Sequence, residues 1–262
     1  MVQYRILKTG FFIGEGGAMF GTVPKQAWRK MYEADKEGNC ILAMNCLLVW
    51  NENRVVLLDT GIGTKEVGKL SYYHFHRLKK LTDLIRLQGF EPKQVTDVVL
   101  SHLHFDHCGD CTYLEEGQLE ITFPRARHWV SQAQWESYMN PNDLELLSYR
   151  QQDMMPVWKS GLVRLIEGDH ELFEGFNLSL FNGHTKGQIV SFIELGNKEI
   201  LLFPGDVIPT KANFPDTWIS AYDIEPLESL AAKKTIKEWT KGERVNYVFY
   251  HDAYEAETEF SQ

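Results

Sequence analysis

The segment SHLHFDHCGD carries His102, His104, Asp106 and His107 within six positions. Imidazole and carboxylate donors at this density suit Zn²⁺ and related borderline cations. The stretch VTDVVLSH (95–102) reads as a buried strand, so His102 and His104, two apart at its end, project to one side. Asp106 and His107 follow where the chain turns and face the same space from another direction. A structural zinc site would draw on cysteines and close all four positions, which is not the pattern here.

Three more donors occur in comparable settings. His184 lies in FNGHTKGQ, just after a strand and inside a glycine-flanked turn; Asp206 ends the apolar run LLFPGD; His251 lies in VFYHD, again at a strand end. Strand ends along one sheet edge form a rim on which ligands from distant sequence converge. Five histidines and two aspartates suffice for two metal ions sharing one bridging carboxylate.

The positioning elements follow from periodicity. MVQYRILKTGFF reads as a first strand, and 41–63 as two apolar strands joined at Asn51-Glu52-Asn53 and ending in Asp59-Thr60-Gly61. Helical spacing of Leu78, Leu81, Leu84 and Ile85 predicts a helix over 73–90, stopped by Gly89. Further helices are expected at 131–140, 142–154 and 225–243. Residues 176–208 repeat the strand–turn–strand layout with a turn at Gly196-Asn197, and 245–253 reads as the last strand. The two halves share this layout and little identity. With no linker or low-complexity segment, a duplicated unit folded into a single domain, 1–262, is expected.

Composition narrows the function classes. A hydrophobic fraction of 44% with 24% charged residues is that of a globular protein and excludes disorder. The net charge of −9 and the lack of a long basic run argue against nucleic acid as a partner. No stretch approaches the roughly 20 apolar residues of a membrane span, and the start lacks an apolar signal core. Cytoplasmic residence and no membrane partner are the resulting expectations. Four cysteines are too few for a disulfide-built scaffold.

HLHFDH matches the H-x-H-x-D-H signature of the metallo-β-lactamase-fold hydrolases, and DTG (59–61), GHTKG (183–187), GD (205–206) and HD (251–252) occur in that family's order. Within it, SHLHFDH and the chain length look most similar to the quorum-quenching N-acyl-homoserine lactonases. The resemblance implies an α/β fold, an αββα sandwich of two packed mixed sheets flanked by helices. It implies two zinc ions, with manganese or iron as alternatives: one held by His102, His104 and His184, the other by Asp106, His107 and His251, with Asp206 bridging and Asp59 buttressing the ligand loops. The implied activity is attack of a metal-bridged hydroxide on a carboxylic ester, most notably a lactone, with Asp106 moving the proton. A small-molecule ester or lactone is the implied partner, and the protein a monomer or homodimer.

Two departures stand out. Lys186 and Gln188 occupy the positions of Pro and His in the family's GHTPGH turn, neither of them a ligand. Pro209 stands where homoserine lactonases carry a tyrosine three residues after the bridging aspartate, which leaves Tyr222, in the next loop, as the expected catalytic substitute. Glyoxalase-II-like thioester hydrolysis is the nearest alternative, without the basic C-terminal region it uses; a metal-binding member without catalysis is another, against which the intact donor set argues. Cys108 and Cys111 are expected as small packing residues, His128 and His170 as structural or solvent-facing. Met19 and Phe20 are expected as a mobile apolar flap, and Phe214 and Trp218 as pocket wall or core.

Overall fold

The structure, a computed structural model, describes residues 2–65 and 67–261. The chain forms two compact units. One takes the described residues through Gly10 with Met44–Gly168, the other Phe11–Ala43 with the described residues from Asp169 onward.

The first unit is built on a six-stranded sheet. In chain order its strands are the parts of β1 (Gln3–Glu15) and β2 (Asn39–Trp50) that fall in this unit, then β3 (Val55–Leu58) and β4 (Asp97–Val99). After a small hairpin, β5 (Thr112–Glu115) and β6 (Gln118–Ile121), come β7 (Arg127–Ser131) and β8 (Val163–Ile166). The sheet order is β1-β2-β3-β4-β7-β8. β2 and β3 pair antiparallel, while β3, β4, β7 and β8 run parallel. β3 and β4 are buried at every residue, as expected of parallel strands covered on both faces. Parallel order aligns their C-terminal ends, and the chain leaves β3 at Asp59 and β4 just before His102.

The helices differ from expectation in two places. Only Leu81–Leu87 of the 73–90 segment is α-helical. His74 and Arg77 have φ of 48° and 50°, and Lys80 is extended, so the chain cannot enter a helix before Leu81. Gly89, at φ 87°, lies just beyond its end. The helix expected at 142–154 instead spans Gln151–Lys159. Asn142 Oδ1 accepts from the N–H groups of Leu144 and Glu145, closing a turn that competes with helix, and Arg150 is extended. Gln132–Met139 is helical as expected, with Ser131 Oγ capping Gln134 N–H at 3.0 Å.

The second unit carries a sheet of β9 (His170–Phe173), β10 (Phe176–Phe181), β11 (Gln188–Gly196), β12 (Glu199–Phe203), β13 (Arg244–Val248) and β14 (Glu257–Ser261), ordered β14-β13-β12-β11-β10-β9. All pairs are antiparallel except β12 with β13, whose connection is the helix Pro226–Trp239. Asn197 and Lys198, both at positive φ, make the tight β11–β12 turn. Ala232 and Ile236 of the helix pack with Phe181, Val190, Leu202 and Tyr247 of the sheet in one buried cluster. The strand expected last, 245–253, ends at Val248, and β14 follows it. Its glutamates, Glu257 and Glu259, alternate with Thr258 and the half-buried Phe260. The exposed glutamates protect this edge strand with charge. No helix among the described residues is long and apolar enough to cross a membrane.

Candidate metal centre

In the first unit the chain leaves β4 at Leu100 and presents His102 and His104 on the loop, and Asp106 and His107 on the single helical turn that follows it, Phe105–Cys108. His102 Nε2 lies 3.0 Å from His104 Nδ1, and the ring centroids of His102 and His107 are 4.0 Å apart. Asp106 Oδ2 faces His107 Nε2 at 3.9 Å. All three imidazoles are buried.

Their orientation is imposed from behind by Asp59, at the end of β3. Its carboxylate accepts from Ser101 N–H and Ser101 O–H, each at 2.7 Å, and from His107 Nδ1–H at 2.8 Å. Ser101 has spent its proton on Asp59, so its oxygen accepts from His102 Nδ1–H at 3.0 Å. His102 and His107 therefore both keep a lone pair on Nε2, the one beside His104 Nδ1 and the other beside Asp106 Oδ2. Asp59 is fully buried and held at φ 55°, a conformation that costs a non-glycine residue on the order of 1–3 kcal/mol. Thr60 continues the brace, its N–H and O–H both donating to His107 C=O. Gly109 admits Ile62 so closely that a Cβ there would meet its carbonyl oxygen at 2.4 Å.

The second unit gathers its donors around one atom. Asp206 Oδ2 lies 3.5 Å from His184 Nε2 and 3.2 Å from His251 Nε2. Here too the far nitrogens are fixed. His184 Nδ1 faces Asp223 Oδ1 at 3.0 Å, and His251 Nδ1 donates to Ala43 C=O at 2.9 Å. A carbonyl only accepts, so His251 presents its lone pair to the carboxylate. A lone pair and an anion at that distance repel unless a cation or proton lies between them. The backbone holds both turns: Ile224 and Glu225 N–H bond the carbonyls of His184 and Gly183, and His251 N–H bonds Pro209 C=O. Gln188, where the family's pattern has His, donates from Nε2 to Pro204 C=O at 3.0 Å and ties the His184 turn to the Asp206 turn.

Each unit thus brings imidazole nitrogen and carboxylate oxygen within a few ångströms of one another, donor types that suit a borderline divalent cation. Three residues outside the expected set take part: Ser101, Glu145, whose Oε1 lies 3.4 Å from His104 Nε2, and Asp223. Ser101 stands inside the SHLHFDH motif; Glu145 and Asp223 carry no spacing signal.

Other expectations divide. Cys108 and Cys111 are fully buried, Cys108 Sγ against Leu103 C=O at 3.3 Å, and burial drives both thiols above their usual range, as suits packing residues and not nucleophiles. His128 is likewise structural, buried with Nδ1 against Ala126 C=O. Met19 and Phe20 form no flap: both are buried, and Phe20 packs on Trp28, Tyr32 and Trp218. Phe214 is half-buried and packs against the core, stacked on Phe260 with ring centroids 4.2 Å apart. Tyr222 is exposed, one residue before Asp223.

The model of the Metallo-beta-lactamase superfamily matches residues 42–251. An N-acyl homoserine lactonase from Bacillus thuringiensis is 27% identical over 218 residues, 79% of this chain and 80% of its own. A probable metal-dependent hydrolase from Staphylococcus aureus superposes with a TM-score of 0.92 at 25% identity, over 99% of this chain and 92% of that one. A dizinc quorum-quenching lactonase solved with a product bound superposes at 0.77 and 22% identity, over 100% and 91% of the two chains.

Proposed function

The chain belongs to the metallo-beta-lactamase superfamily, with its mixed-sheet fold, and we propose that it is a dinuclear zinc hydrolase that opens a lactone such as an N-acyl-homoserine lactone. In this reading His102, His104 and His184 would hold one ion and Asp106, His107 and His251 the other, with Asp206 shared between them. The observation that carries it is the approach of His102 Nε2 to His104 Nδ1, 3.0 Å apart, with His102 tied through its other nitrogen. Two ring nitrogens so placed fit adjacent vertices of one coordination sphere. The kinship with a Bacillus lactonase and the fold shared with a dizinc lactonase support zinc and the lactone class.

Zinc, when bound, supplies Lewis acidity, polarising a carbonyl and making a water acidic enough to attack near neutral pH. Asp106 takes a proton from the attacking water and passes it to the ring oxygen as the C–O bond breaks, leaving the hydroxy acid. Tyr222 donates a hydrogen bond to the substrate carbonyl in place of the tyrosine absent at Pro209. The four positioning contacts from Asp59, Ser101, Asp223 and Ala43 keep the imidazoles aimed while charge develops. We further take the protein to act in the cytoplasm as one domain, monomeric or homodimeric.

A panel of lactones, thioesters, phosphodiesters and β-lactams, assayed with and without chelator, tests the proposal. Chelator-sensitive turnover of lactones is expected. Turnover of thioesters alone would move the assignment to the glyoxalase-II-like reaction, and two bound ions with no turnover on any substrate would leave a metal-binding protein without catalysis.

A further inference from the structure

The turn Asn142-Asp143-Leu144-Glu145-Leu146-Leu147 reverses the ordinary partition of side chains. Leu144, Leu146 and Leu147 are 78%, 54% and 83% exposed, while Glu145 between them is 2% exposed. Apolar burial does not account for this turn, because its apolar residues face outward. Burying a carboxyl group carries a desolvation cost unless donors meet it, so the contacts of Glu145 show what the turn is organised around.

Those contacts point to one task. Tyr149 O–H donates to Glu145 Oε1 at 2.6 Å, and Asn142 Nδ2 donates to Oε2 at 2.6 Å. With the carboxylate pinned from two sides, Oε1 faces His104 Nε2 at 3.4 Å. The Tyr149 hydroxyl also lies 3.3 Å from Gln134 Oε1, which accepts Leu103 N–H at 2.9 Å, between His102 and His104. Phe105 N–H donates to Ser148 C=O at 2.9 Å, so the turn is fastened to the ligand segment through backbone as well.

We propose that Glu145 is a positioning residue for His104: by accepting Nε2–H it fixes the tautomer whose Nδ1 lone pair points where His102 Nε2 points. The neutral imidazole otherwise divides between two tautomers, and only this one offers Nδ1 to a cation. The inference rests on the reading of His104 as a metal ligand, but the tautomer exists without metal and is measured without it.

The test is ¹⁵N NMR of the imidazoles in metal-free full-length protein, followed by Co²⁺ titration read by visible absorption, for wild type, Glu145→Gln and Glu145→Leu. The wild type and Glu145→Gln, which keeps an acceptor oxygen, are expected to show His104 protonated at Nε2 and to bind Co²⁺ alike. Glu145→Leu is expected to show a tautomer mixture and to weaken Co²⁺ binding about 10- to 100-fold. His104 protonated at Nδ1 in the wild type, or an unchanged tautomer and affinity in Glu145→Leu, overturns the proposal. The wild-type spectrum and the glutamine variant suffice if the leucine variant does not fold. A protein with the expected tautomer that hydrolyses no ester contradicts the proposed activity alone; lactone turnover with the other tautomer contradicts the role of Glu145 alone.

Discussion

Asp59 Oδ2 accepts the Nδ1 proton of His107 at 2.8 Å, and both carboxylate oxygens are occupied by Ser101 and His107 donors. A backbone strained at φ 55° is therefore kept in place by the contacts that aim two imidazoles. Asp59→Asn retains a residue type that tolerates this φ but replaces one acceptor oxygen with an NH₂ facing donors. Metal affinity is expected to fall about 10- to 100-fold with the fold intact, measured by competition against a chromophoric chelator with circular dichroism as the fold check.

Asp106 and Tyr222 separate by kinetics. Asp106→Asn is expected to lower kcat on a lactone by about 10²- to 10⁴-fold, the range for loss of a proton-transfer group, while folding is retained. Tyr222→Phe removes one hydrogen-bond donor and is expected to lower kcat by about 10²-fold with KM little changed. Steady-state rates on both variants check this; an unaltered kcat in Tyr222→Phe removes that residue from the reaction.

Gly183 precedes His184 at φ 134°, and a Cβ there would meet Ser229 Oγ at 2.3 Å and Ser229 N at 2.5 Å. Backbone on the helix Pro226–Trp239 cannot give way as a flexible side chain would. Gly183→Ala is expected to destabilise the protein by about 1–3 kcal/mol, seen in urea unfolding, and to lower metal content with it.

Burial lowers the pKa of His128 from 6.5 to about 4. Between those values the unfolded chain binds a proton that the folded one does not, so stability falls as pH drops from 6.5 toward 4. The slope from this group is at most about 1.4 kcal/mol per pH unit, and above pH 6.5 it contributes none. Asp110, raised to about 7, acts in the opposite sense, since its folded form holds a proton that the unfolded form has lost. Subtracting the unfolding free energies of His128→Gln from those of the wild type isolates the histidine: the difference should shrink on acidification and level off at neutral pH.

What could be read from sequence was what lies close together in the chain. His102, His104, Asp106 and His107 share one short segment, so spacing alone exposed them, and His184, Asp206 and His251 each follow closely on an apolar run. Glu145 and Asp223 were illegible because a lone acid without a spacing signal looks like a solvated charge until the fold turns it inward. The start of the 73–90 helix was misjudged because leucine spacing cannot report positive φ at His74 and Arg77. Met19 and Phe20 were misjudged because glycine-rich flanks suggest mobility, whereas Trp28, Tyr32 and Trp218 enclose Phe20. Strand β14 escaped because alternation over five residues with two glutamates resembles a tail.

The most direct test of the central claim is a crystal structure of the zinc-loaded protein with anomalous data at the zinc edge. The account predicts two peaks per chain, one coordinated by His102, His104 and His184, the other by Asp106, His107 and His251, with Asp206 reaching both. A single peak, or zinc held by other residues, would contradict it.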